Sequence, residues 1–215
     1  MKIKFRTGSG VLVGVLALTA VTLTGCRIEE HKNGDKEDVK IATPFGGMSV
    51  KTDDSAVQAG VGLAMYPGAT IVKKVHTDSD GHHHDNGAAD INMSFGSFHL
   101  GVKALEYQTT DAPDKVIAFY RKDMARYGQV IFCKGNHAVG TPAVTQDGLS
   151  CDRESKNNVH IDDEDVNGSE GELKAGSKLH QHIVAVNANG EGTKIGLVML
   201  DLPGHMGIED DDSRQ

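Results

Sequence analysis

The chain has 215 residues, with 22 Lys and Arg against 30 Asp and Glu, for a formal charge of −8. That balance excludes nucleic acid as a partner, because a phosphate backbone is held by a basic face. Aromatics are 5%, Trp is absent and Gly numbers 26, which describes one domain with a modest core and long polar connections.

Residues 1–25 open with Lys2, Lys4 and Arg6, continue as an apolar run over 11–21 and end at Leu23-Thr24-Gly25 before Cys26. A basic start and a short apolar stretch describe an export signal, since a spanning helix needs roughly 20 apolar residues. The segment Leu23-Thr24-Gly25-Cys26 resembles the lipobox of bacterial lipoproteins. That resemblance implies cleavage before Cys26, a diacylglycerol thioether on its sulfur and a further acyl chain, such as palmitate, on its new amino group. Several acyl chains together give a firm membrane anchor, whereas one binds marginally. A plain signal peptide with an unrelated cysteine is the alternative reading. In lipoproteins of two-membrane bacteria an Asp after the cysteine favours the inner membrane, so Arg27 implies the periplasmic face of the outer membrane. Cleavage removes Lys2, Lys4 and Arg6 and no acid, which deepens the charge from −8 to −11. Such a domain is repelled by anionic lipid heads, so its membrane residence rests on the lipid.

Residues 26–38 are charged with one isolated apolar residue and read as a lipidated, solvated tether. The domain proper is expected over 39–203. Its first part, 39–54, reads as a peripheral hairpin around Pro44, Gly46 and Gly47. Residues 55–65 suit a short helix packed through Val57, Val61 and Leu63, and Tyr66-Pro67-Gly68-Ala69 turns into a strand over 70–76. Residues 77–89 lack apolar periodicity and read as a loop. Alternation then predicts strands over 90–98 and 100–107, with a bulge or turn near Gly96-Ser97. The strongest helix signal is 113–127. Asp111 offers a cap, Pro113 suits the first turn, Val116, Ile117, Phe119, Tyr120, Met124 and Tyr127 form an apolar stripe, and Gly128 stops it. A strand follows at 130–133, a loop at 136–148, a short strand at 149–151 and a hydrophilic excursion at 152–171. Residues 181–187 and 193–201 form a hairpin, and 204–215 read as an acidic disordered tail. One main helix among antiparallel strands is an α+β pattern, mostly antiparallel sheet with the amphipathic helix packed on it.

With Cys26 assigned to lipid, Cys133 and Cys151 remain as an even pair in an oxidising compartment, which makes a disulfide the expectation. A transition-metal site could draw on His82, His83, His84 and Asp85 in the segment 76–85, whose plain alternative is a solvated polar loop. His180 and His182 share a strand face by their i, i+2 spacing and are the other metal candidates. Asp163, Asp165 and Asn167 copy the first half of a calcium loop, but Lys174 stands where the closing Glu belongs. No catalytic motif is present, so the chain reads as no enzyme and no resident cofactor is expected.

Tyr66-Pro67-Gly68-Ala69, followed by Val116-Ile117-Ala118-Phe119-Tyr120-Arg121 and Gly128, resembles a pattern in bacterial exported proteins of unknown function. The resemblance implies no activity, and the motifs read as structural. The expectation is therefore a membrane-anchored envelope lipoprotein with a non-enzymatic binding or scaffolding domain and an envelope protein partner. A metal-binding lipoprotein using segment 76–85 is the second reading, and an envelope hydrolase the third.

Overall fold

The computed structural model describes residues 26–33, 36–77, 83–151 and 170–204. In chain order the elements are β1 (Arg27–Asn33), β2 (Lys36–Thr43), β3 (Gly46–Lys51), α1 (Asp54–Val61), β4 (Thr70–Ile71), β5 (Lys74–Thr77), β6 (His83–Asn86) and β7 (Ala88–Phe95). There follow β8 (Phe98–Thr109), α2 (Pro113–Met124) with a 3-10 turn at Ala125–Tyr127, β9 (Ile131–Lys134), β10 (His137–Ala138), β11 (Gly171–Gly176), β12 (His180–Ala188) and β13 (Thr193–Asp201). The main sheet runs β1-β2-β3-β7-β8-β13-β12-β11-β9-β10 with β4 added beside β8, and β5-β6 form a separate ribbon. Neighbours pair antiparallel throughout, and the fold is α+β as the sequence implies.

Local chemistry sets the helix ends. Asp53 accepts hydrogen bonds from the Ser55 and Ala56 amides at 3.0 and 3.1 Å, which satisfies two of the unpaired donors at the start of α1. Gly62 ends that helix in the left-handed region at φ 72°, where a side chain would be strained. For α2 the expected cap is corrected. Ala112 occupies the capping position with no side-chain bond, and the Asp111 carboxylate instead accepts from the Tyr66 hydroxyl at 2.8 Å and Lys115 Nζ at 2.9 Å.

Both helices lie on one face of the sheet. Val57 and Val61 of α1, with Val116, Tyr120 and Met124 of α2, pack on Leu105 and Tyr107 of β8, Ile195 and Leu197 of β13, Val184 and Val186 of β12 and Leu173 of β11. A second, smaller cluster joins Ile131, Cys133, Leu149 and Cys151. The expected disulfide is present, linking Cys133 to Cys151 across 18 residues.

Four segments differ from the sequence reading. Residues 26–38, expected as a tether, are largely strand, because β1 and β2 match both charge and apolarity across the pair: Glu29 is opposite Lys40, and Ile28 opposite Ile41. The strand expected over 70–76 leaves the edge of β8 after Val72, whose amide donates to the Glu106 carbonyl at 2.8 Å. The chain returns at Gly87, so the ribbon β5-β6 is an insertion, and the loop expected over 77–89 contains β6 and the start of β7. Strand β11 was hidden because only Leu173 and Ala175 alternate in it. Its position between β9 and β12 satisfies backbone donors and acceptors that would otherwise be buried unpaired.

Candidate functional site

Of the candidate metal residues, positions 83, 84, 85, 180 and 182 lie in described strands. No group of three His, Cys, Asp or Glu among the described residues could hold an ion. In the β5-β6 ribbon position 84 lies opposite 76 and position 83 opposite 77. His82 and the calcium candidates Asp163, Asp165 and Asn167 lie outside the described residues. Cys26 is an exposed free cysteine immediately before β1.

His180 and His182 share a face as their spacing predicts, yet they take different partners. His180 is exposed, with Nδ1 2.6 Å from Asp201 Oδ1 on the neighbouring strand. His182 stacks on Tyr127, ring centroids 3.6 Å apart and planes at 15°. Its Nδ1 is buried without a partner. Burial, and then the Arg126 charge, hold its pKa below the ordinary value, while Asp201 pulls the other way. Tyr127 donates to the Gly62 carbonyl at 2.6 Å, and Arg126 donates to the same oxygen. Gly62 has no room for more, since a Cβ there would lie 2.7 Å from the Tyr127 hydroxyl. Asp123 accepts from the Ala64 amide at 3.0 Å. These contacts clamp the end of α1 onto the end of α2.

The two short motifs meet in the core. Tyr66 packs edge-on to Phe119 with centroids 5.1 Å apart, and Phe119 edge-on to Tyr120 at 5.0 Å. The Tyr66 hydroxyl donates to Asp111, and the Asp111 carbonyl accepts from the buried Thr193 hydroxyl at 2.7 Å. The Lys115 and Tyr66 hydrogen bonds lower the Asp111 pKa, and burial raises that of Tyr66. This network joins α2, the turn at 66–69 and β13, as a structural motif would.

The feature that sequence reasoning missed is the other face of the sheet. Register places Val39, Val50, Ile91, Val102 and Leu200 side by side across β2-β3-β7-β8-β13. The next row towards the β2-β3 turn is Ile28, Ile41, Met48, Met93 and Leu100, and on the other side Ala89, Ala104, Val198 and Ile183 continue across β12. None of these side chains belongs to either core cluster. Small residues Ala89, Ala104 and Gly196 leave a trough of about 440 Å³ bordered by Val72 and Val198. A signal for this face does exist in β13. Its run Ile195-Gly196-Leu197-Val198-Met199-Leu200 is nearly continuous in apolar character, as in a strand covered on both sides.

Comparison with protein-family models, with curated proteins and with solved structures finds no match to this chain.

Proposed function

We propose that the chain is a bacterial envelope lipoprotein, acylated at Cys26, whose domain is a non-enzymatic binding module that engages an envelope protein through the open face of its sheet. The observation that carries the binding role is that apolar face. Same-face positions are spaced by about 4.8 by 6.7 Å, so the three rows cover roughly 450 Å². That lies within the range of about 300–600 Å² for the largest patch on a monomer, where such patches are often functional. The anchor rests on the resemblance of residues 23–26 to a lipobox and on the exposure of Cys26.

Two measurements test the reading. Metabolic labelling with an alkynyl fatty acid should mark the chain and fail on Cys26→Ala; label persisting on that variant refutes the anchor. A photo-crosslinking residue at Val102, on the open face, should capture one discrete envelope partner in intact cells, and the same residue at Lys40, on the opposite face, should not. Equal capture from both positions, or none from Val102, refutes the binding role.

A further inference from the structure

The two most exposed large apolar side chains among the described residues gather at one end of the sheet, with a third beside them. Phe45 is 84% exposed in the β2-β3 turn, Ile28 is 68% exposed on β1, and Phe95 is 42% exposed at the end of β7. Register brings them together: Ile28 is opposite Ile41 just before that turn, and Phe95 is opposite Gly46 just after it. The turn is fixed in place. The Gly96 amide of the β7-β8 turn donates to the Phe45 carbonyl at 3.3 Å, Thr43 Oγ1 donates to the Gly46 carbonyl at 2.8 Å, and a Cβ on Gly46 would lie 2.0 Å from the Ser94 carbonyl oxygen. Phe45 is therefore held out by a rigid support.

Cys26 is at this same end. Arg27 is opposite Ala42, so Cys26 sits one residue, about 3.8 Å along the chain, outside the first pair of β1. A tether of thirteen extended residues could have stood the domain some ~45 Å off a membrane, but β1 begins at Arg27 and leaves no such slack. An acyl group on Cys26 would hold this sheet end at the lipid headgroups. The side chains that then meet the bilayer are Ile28, Phe45 and Phe95.

We propose that this sheet end enters the bilayer interface, making a second, apolar membrane contact beside the acyl chains and fixing the orientation of the open sheet face. The proposal rests on the lipoprotein reading for the position of the anchor. The partner is a lipid surface rather than a second copy of the chain, because Phe45 projects from a turn at the sheet end and not from the flat face that sheet-on-sheet packing would cover. An acidic chain gains nothing electrostatically from anionic lipid, so the contact is apolar and persists on zwitterionic membranes.

The chain contains no Trp, so a single Trp reports its own surroundings. The full chain, including residues 1–25, would be produced in a bacterium that processes it, extracted and reconstituted into phosphatidylcholine vesicles with or without brominated acyl chains. Phe45→Trp should lose about half its emission to the bromines, as expected for a ring seated some 5–10 Å into the interface. Val144→Trp, at a site 55% exposed in the disulfide loop at the far edge of the sheet, should lose none. The mass of the N-terminal peptide from the same preparation reads the acylation of Cys26. Quenching confined to position 45 in a chain acylated at Cys26 supports the proposal. An acylated Cys26 with no quenching at Phe45→Trp overturns the proposal and leaves the anchor standing. An unmodified Cys26 with quenching at Phe45→Trp refutes the anchor and supports the contact. A chain that runs at twice its mass in detergent, with position 45 shielded from bromine, overturns it in favour of self-association.

Discussion

The two faces of the sheet are built from comparable residues and meet different fates. On the helix-covered face Leu105, Tyr107, Val184, Val186, Ile195 and Leu197 are at most 3% exposed and belong to one cluster. On the other, Val102, Ile183, Val198 and Leu200 are branched and apolar too, on the same strands, yet remain half-buried and outside both clusters. The difference lies in what is available to cover them. Helices α1 and α2 both follow strands in a way that returns them to one side, and among the described residues the open face receives only the disulfide loop, at its β9 corner. A strand that is apolar on both sides and covered on one is the observation on which the proposed binding role rests.

The sharpest way to break this comparison is a matched pair of truncations on β13. Leu197→Ala should cost about 2–5 kcal/mol, the range for a buried Leu whose site collapses only partly. Val198→Ala, its immediate neighbour, should cost less than about 1 kcal/mol, as for a surface position. Urea unfolding midpoints read both. Equal losses would mean that the open face is covered when the chain folds, and the distinction between the faces would disappear.

The disulfide loop is the one described segment that does cover part of that face. Leu149 and Cys151 lie over Ile131 and Cys133 with few other apolar partners, so the covalent link contributes much of what holds them there. Replacing both cysteines, Cys133→Ala with Cys151→Ala, should lower stability by about 3 kcal/mol on the chain-entropy estimate for a loop of 18 residues. A loss well under 1 kcal/mol would show that packing alone retains the loop.

How much of this could be read from residues follows the same division. Helix α2, the β12-β13 hairpin and the disulfide were readable because each carries a local signal: an apolar stripe bounded by Pro113 and Gly128, two runs separated by Gly190 and Gly192, and an even pair of cysteines. Strands β1 and β11 were not, because their reasons are non-local. Ile28 looks isolated until Ile41 is placed opposite it, and Leu173 and Ala175 make a strand only between β9 and β12. The open face needed register across seven strands, and no window along the chain displays that. His180 and His182 show the limit in miniature. Their shared face was predictable, but the Asp201 beside one and the Tyr127 ring beneath the other come from elements distant in sequence.

The smallest effect expected is a pH dependence confined to the helix-covered face. Burial and the Arg126 charge hold the folded His182 pKa below the ordinary 6.5, so the unfolded chain takes up a proton at a pH where the folded one does not. The contribution of neutral His182 is therefore fully present above pH 6.5. It falls away as the pH drops through 6.5 towards the lower folded value, and levels off below that. His182→Phe keeps an aromatic ring to stack on Tyr127 and removes the titration, so its unfolding midpoint should change less than that of the parent between neutral and mildly acidic pH. The open face presents no buried histidine of this kind among the described residues, and Val198→Ala should leave the parent's slope in place. A slope unchanged in His182→Phe would show that His182 does not carry the acid sensitivity in that window; a separate loss is expected from Asp111. Its lowered pKa places its loss at a more acidic pH, below the ordinary carboxylate value of 3.8, so the pH of the transition separates the two.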